Sequence, residues 1–200
     1  MSSLGREAER YLLGLARRTL EAHLRGEPLD LNALAPRLPD PALAQPAGAF
    51  VTLHRRGCLR GCVGHIQPTK PLYLTVVDAA LAAAFHDLRF PPLELAELPE
   101  VEIEISLLSP CFGIRPEAVE VGRHGLIVSQ DFYRGLLLPQ VAVEQGWDRE
   151  RFLEETCQKA GLAPDAWKKG ARLEAFTADV FSEAPLADSD PAALTRPSFE

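Results

Sequence analysis

Positive charge is scarce in this chain, and no stretch of it is rich in lysine or arginine. The formal net charge is −7. That balance lacks the electrostatic footprint of a nucleic-acid binder, and it equally disfavours an anionic membrane surface. Long apolar runs are missing as well, since none approaches the ~18 residues that a membrane span requires. There is no CxxC or HxxxH pair, so no structural metal site is expected. There is no GxGxxG and no P-loop, so no cofactor is expected either. The four cysteines do not suggest a disulfide framework. Cys58 and Cys62 on one straight strand would sit ~13 Å apart, beyond the ~7 Å that a disulfide allows between Cα atoms. The first residues, with Glu7 and Glu9 among them, do not read as a signal peptide. The expectation is a cytoplasmic chain with reduced thiols.

What the chain does have is the hexapeptide Leu59-Arg60-Gly61-Cys62-Val63-Gly64, an arginine and a thiol two residues apart between glycines. On a regular strand Arg60 and Cys62 share a face, roughly 7 Å apart. Gly61 and Gly64 leave backbone open beside the thiol, for a bulge or for a ligand. A guanidinium at that distance favours the thiolate by about 0.6–2.4 kcal/mol at an effective dielectric of roughly 20–80. Cys62 is therefore expected to be mildly activated, with full activation needing a second partner. Against this stands the commoner role of a free strand cysteine as a small buried hydrophobe.

Two hundred residues fit one domain, or one domain with a small lobe. Ser2 or Ser3 can cap a helix running to about Arg25, with Gly26 as its stop. Residues 27–47 read as an irregular connection. Residues 49–54 and 59–64 read as strands paired across an Arg56-Gly57 turn. Pro71 suits the first position of an alanine-rich helix to about residue 86, able to lie close on a sheet. Val101, Ile103, Ile105 and Leu107 alternate with polar residues as a half-buried strand does. Further strands are expected near 118–121, 125–129 and 135–138, with Gln140, after Pro139, at the end of the last. A helix capped by Asp148 should end before Gly161, with a short helical turn at 165–168, and one last strand should span 172–182. There is no repeat and no clean linker, so residues 5–182 read as one folded unit. The tail over 183–200 is expected to be disordered.

Several motifs recur in order around the hexapeptide: Phe50-Val51-Thr52-Leu53 before it, then Asp87-Leu88-Arg89-Phe90-Pro91-Pro92-Leu93, Val121-Gly122-Arg123-His124-Gly125-Leu126, Leu138-Pro139-Gln140-Val141 and Gln145-Gly146-Trp147-Asp148. Together they resemble the AMMECR domain family, the A component of the AmmeMemoRadiSam set. Val63 replaces the family's usual isoleucine, and His65 lies outside the shared pattern. The resemblance implies an α+β fold, with a mixed or antiparallel sheet and packed helices. It also implies a two-part domain whose cleft holds the cysteine. The family's context implies Memo-type and radical-SAM proteins as partners in a modification pathway.

Two functional readings follow. In the first, Cys62 acts as a nucleophile or thiol donor on a small anionic or carbonyl ligand. Arg60 would stabilise the thiolate, His124 would exchange protons and Arg89 would orient the ligand. Gly61, Gly64 and Gln140 would complete the ligand contacts, with Arg60, Cys62 and His124 lining one cleft. In the second reading the protein is a non-catalytic binding or accessory module for those partner proteins. His54 and His65 are alternative partners for Cys62, whereas His23 and His86 read as helix residues. Arg89 has a plainer role in an ion pair with Asp87, and His124 one as a solvent-facing turn residue. Glu102 and Glu104 read as the wet face of a strand. Trp147 reads as a staple on the following helix, Cys58 and Cys111 as incidental, and Cys157 as a core residue.

Overall fold

The computed structural model describes residues 4–27, 29–31 and 33–183. It is a mixed α+β structure with four helices and two antiparallel sheets among the described residues. The chain divides into two compact units. One holds the described residues up to Ser109 together with those from Asp179 on, and the other holds Pro110–Ala178. Of the expected tail, Glu183 is held by Arg17 and by the Ile103 backbone, and residues 184–200, with Ser2 and Ser3, lie outside the described residues. No helix among the described residues is long and apolar enough to cross a membrane.

The first unit opens with helix α1, Arg6–Arg25, whose start is Gly5 rather than a serine. Its buried positions Ala8, Leu12, Leu15, Ala16 and Leu20 form one stripe at helical spacing. It ends where Gly26 adopts φ 72°, a left-handed stop that glycine accepts without strain. Strands β1, Ala49–Arg55, and β2, Cys58–His65, form a hairpin. Its two turn residues, Arg56 and Gly57, both have positive φ, the backbone twist that two-residue hairpins favour. Helix α2, Leu72–Phe85, begins one residue after Pro71. Strand β3, Val101–Leu108, pairs with β1, and β8, Ala178–Ser182, completes the sheet in the order β2-β1-β3-β8. Val51 and Leu53 of β1, Ile103 and Ile105 of β3, and Val76, Ala80 and Ala83 of α2 share one core with α1.

The second unit has a sheet in the order β4-β7-β5-β6. Its strands are Phe112–Gly113 (β4), Gly125–Gln130 (β5), Tyr133–Leu137 (β6) and Arg172–Phe176 (β7). Helix α3 spans Pro139–Glu144 and α4 spans Arg149–Lys159. Asp148 caps α4 by accepting from the Arg151 N–H at 2.8 Å. Phe152, Leu153 and Cys157 face the core with Leu126, Val128 and Leu173.

Three expectations are corrected here. Residues 118–121 form no strand, because a 3-10 turn at Pro116–Ala118 occupies the segment and buries only Val119. Gln140 ends no strand, because Pro139 starts a helix there. The run 172–182 is two strands, which join different sheets on either side of Thr177.

Candidate functional site around Cys62

The hexapeptide lies on β2, the edge strand of its sheet. Leu53 pairs with Gly61, but His54 pairs with Leu59, so Arg60 is an extra residue in a β-bulge. The bulge breaks the alternation that would have set Arg60 and Cys62 on one face. Gly61 looks toward α2, where a Cβ would lie 2.1 Å from the Ala83 carbonyl oxygen. Its missing side chain thus admits a helix. Gly64 is covered by Phe50, whose Cγ would be 2.4 Å from an added Cβ.

Cys62, next along the pleat, faces away from α2 and opposes Thr52. The Thr52 hydroxyl donates to Sγ at 3.3 Å. Glu104 pairs with Thr52 from the other side. Thr52, Cys62 and Glu104 therefore sit side by side on one face of three neighbouring strands.

The backbone of Cys62 is held from outside the sheet. Its N–H donates to Asp87 Oδ2 at 2.9 Å, and its C=O accepts from Arg89 Nη2 at 3.3 Å. Arg89 also grips Asp87 in a bidentate pair, Nε to Oδ1 at 2.9 Å and Nη2 to Oδ2 at 2.7 Å. The Asp87 carboxylate is nearly buried, whereas the Arg89 side chain is 58% exposed. These bonds hold the Asp87 carboxyl well below the usual carboxylate range, its pairing with Arg89 above all. The segment after α2 is thus clasped onto Cys62, with Leu88 fully exposed at its tip.

Arg60 does not serve the thiol. Its guanidinium is buried and bonded to Glu97, Nε to Oε1 at 3.1 Å and Nη2 to Oε2 at 2.9 Å. Burial pushes the Cys62 thiol above its ordinary range. The Thr52 hydrogen bond and the charge of Arg89 oppose that shift, whereas Asp87 and Glu104 add to it. The expected Arg60–thiolate pairing is not what the geometry shows: the Arg60 guanidinium is engaged by Glu97, and the cation acting on Cys62 is Arg89. Thr52→Val removes a bond that favours the thiolate, so the pH midpoint of Cys62 alkylation should rise. An unchanged midpoint in the rate-versus-pH profile would show that the Thr52 bond does not act on the sulfur.

His124 and Gln140 belong to the second unit. His124 is buried, and its Nδ1 accepts from the Glu120 N–H at 3.0 Å while the Phe112 ring meets it edge-on at 5.9 Å. The role visible for it is closing the turn before β5. Gln140 is half-buried on the first turn of α3. Among the described residues no group of His, Cys, Asp and Glu is placed to hold a metal ion. A cavity of about 320 Å³ lined by α1, α2, Glu27, Leu29 and Leu31 contains none of the predicted site residues.

Sequence reasoning missed Thr52, Asp87 and Glu97. Asp87 was legible only as a salt-bridge partner of Arg89, and its grip on the Cys62 N–H depends on how the chain returns from α2.

A family model described as AMMECR1 matches residues 13–181. The chain belongs to the AMMECR1 family. It is 45% identical over 186 residues to the protein PF1979 of Pyrococcus furiosus, covering 86% of this chain and 87% of that protein. A protein of Methanothermobacter thermautotrophicus is 44% identical over 189 residues, covering 90% and 96% of the two chains. The crystal structure of the uncharacterized protein PH0010 from Pyrococcus horikoshii matches with a TM-score of 0.81 at 42% identity. That match covers 90% of this chain and 93% of the other.

Proposed function

We propose that this AMMECR1-family protein is a binding module whose contact surface is the β2 edge at Cys62. Its ligand is a small carboxylate or carbonyl compound, or a group of that kind on a partner, and Arg89 is the cation that receives it. The observation that carries the reading is the clasp: Asp87 and Arg89 bracket the Cys62 backbone and hold an exposed guanidinium beside the thiol. A planar, permanently charged fork suits a carboxylate oxygen. A Cys62 thiol that burial pushes above its ordinary range supports contact with the ligand better than nucleophilic attack on it. In the family's setting, Memo-type and radical-SAM proteins are the partners that would supply or consume the ligand.

Charge-matched alkylating agents test this. Iodoacetate carries the carboxylate that the site should attract, and iodoacetamide does not. In Arg89→Gln the iodoacetate-to-iodoacetamide rate ratio at Cys62, read by mass spectrometry of the Cys62 peptide, should fall about three- to tenfold. Arg89→Lys, which keeps the charge, should retain most of it. A ratio unmoved by Arg89→Gln would end the anion reading.

A further inference from the structure

β2 is an outer strand, so half of its backbone groups point away from β1. Those of Cys62 point outward, where Asp87 and Arg89 meet them. Alternation directs the N–H and C=O of Gly64 the same way, and neither has a hydrogen-bond partner among the described residues. The clasp imitates one rung of an added antiparallel strand. A carboxylate accepts where a peptide C=O would, and a guanidinium donates where a peptide N–H would. The next rung, at Gly64, is bare.

In an extended strand the C=O of one residue and the N–H two residues on lie side by side along one edge. Arg89, bonded to the Cys62 C=O, therefore stands next to the Gly64 N–H. Its Nη1 makes no hydrogen bond among the described residues, and Leu88 beside it is wholly exposed.

We infer that the ligand is the carboxyl-terminal end of an extended peptide, which adds to β2 as a short antiparallel strand. This rests on the reading of Arg89 as the anion receptor and names the ligand class. Direction decides it. A chain antiparallel to β2 and paired with Gly64 runs toward Cys62, so its terminal carboxylate arrives at Arg89. One residue makes both main-chain bonds to Gly64, and Leu88 gives the terminal side chain an apolar wall. Main-chain pairing supplies affinity in this mode and the terminal carboxylate supplies specificity.

The test uses the full chain and three probes: a pool of acetylated random pentapeptides with free carboxylates, the same pool amidated, and acetate. The readouts are hydrogen exchange of the Gly64 amide by NMR and the alkylation rate of Cys62 by iodoacetamide. The carboxylate pool should slow both, and the amidated pool should need about tenfold more peptide for the same effect. Arg89→Gln should erase that difference. If acetate protects Cys62 as well as the carboxylate pool and Gly64 exchange stays unchanged, the anion site stands and the peptide inference is overturned. If the amidated pool matches the carboxylate pool, terminal-carboxylate capture is overturned. If the carboxylate pool changes neither readout, the inference fails outright.

Discussion

Glu97→Ala should destabilise the protein by about 3–5 kcal/mol, the range found when one partner of a buried ion pair is removed. The Arg60 side chain is 10% exposed and that of Glu97 15%. Without Glu97, the guanidinium would keep one hydrogen bond, from Nη2 to the Pro92 carbonyl at 3.4 Å, and would sit otherwise unpaired in a low dielectric. Glu97 also accepts from Arg55 Nη1 at 2.7 Å and from the Glu94 N–H at 3.0 Å, so its loss loosens a turn and leaves Arg55 with Glu100 alone. Urea denaturation measures the cost. The double variant Arg60→Met with Glu97→Met should recover much of it, because matched apolar groups leave no buried charge. A single variant within 1 kcal/mol of the parent would mean that water reaches Arg60.

The same pair sets an acid limit. Hydrogen bonding to Arg60 lowers the Glu97 carboxyl to about 2. Its folded value lies below its unfolded value, so its stabilisation is fully present above the ordinary glutamate range. The contribution is lost as pH falls from about 4.5 toward 2. Glu97→Gln should therefore flatten the stability-versus-pH curve in that window.

Much of the fold is legible in the sequence for local reasons. The Arg56-Gly57 turn, the alternation from Val101 to Leu107, Gly26 as a helix stop and the Asp148 cap each depend on a few adjacent residues. The hairpin register does not. Counted from the turn without a bulge, Cys62 would oppose Val51, a wholly buried core residue. The extra residue at Arg60 moves it opposite Thr52 on the polar face, and a one-residue slip exchanges faces for every side chain. Gly61 beside Arg60 makes a bulge one of two readings, but it does not decide between them, because Glu97, which holds the Arg60 guanidinium, lies far along the chain. The second unit hides its order differently. Pro139 after an apolar run is a helix-start signal that the preceding leucines obscure. Residues 172–182 suit an extended chain throughout, which says strand without saying where it breaks or which sheet each half joins. The Arg89–Asp87 ion pair is legible from two residues two apart in the chain, whereas the hold of Asp87 on the Cys62 N–H needs the geometry.

Gly61→Ala should be among the most damaging single-methyl changes in the chain, at about 3 kcal/mol or more. The obstacle is the backbone of α2. An added Cβ would lie 2.1 Å from the Ala83 carbonyl oxygen and 3.1 Å from its carbon, and neither can rotate away as a side-chain tip can. Relief requires the helix to lift from β2, which would open the contacts of Val76, Ala80 and Ala83 with the sheet. It would also draw the Asp87–Arg89 clasp, which follows directly on α2, away from Cys62. Loss of stability in denaturant should therefore come with a change in Cys62 alkylation rate. Gly14→Ala supplies the control of opposite sign. Gly14 is exposed within α1 with nothing within 4 Å of an added Cβ, so alanine there should stabilise by roughly 0.5–1 kcal/mol. If Gly61→Ala proved as mild as Gly14→Ala, α2 would not be seated on the strand, and the clasp would lose the helix that anchors it.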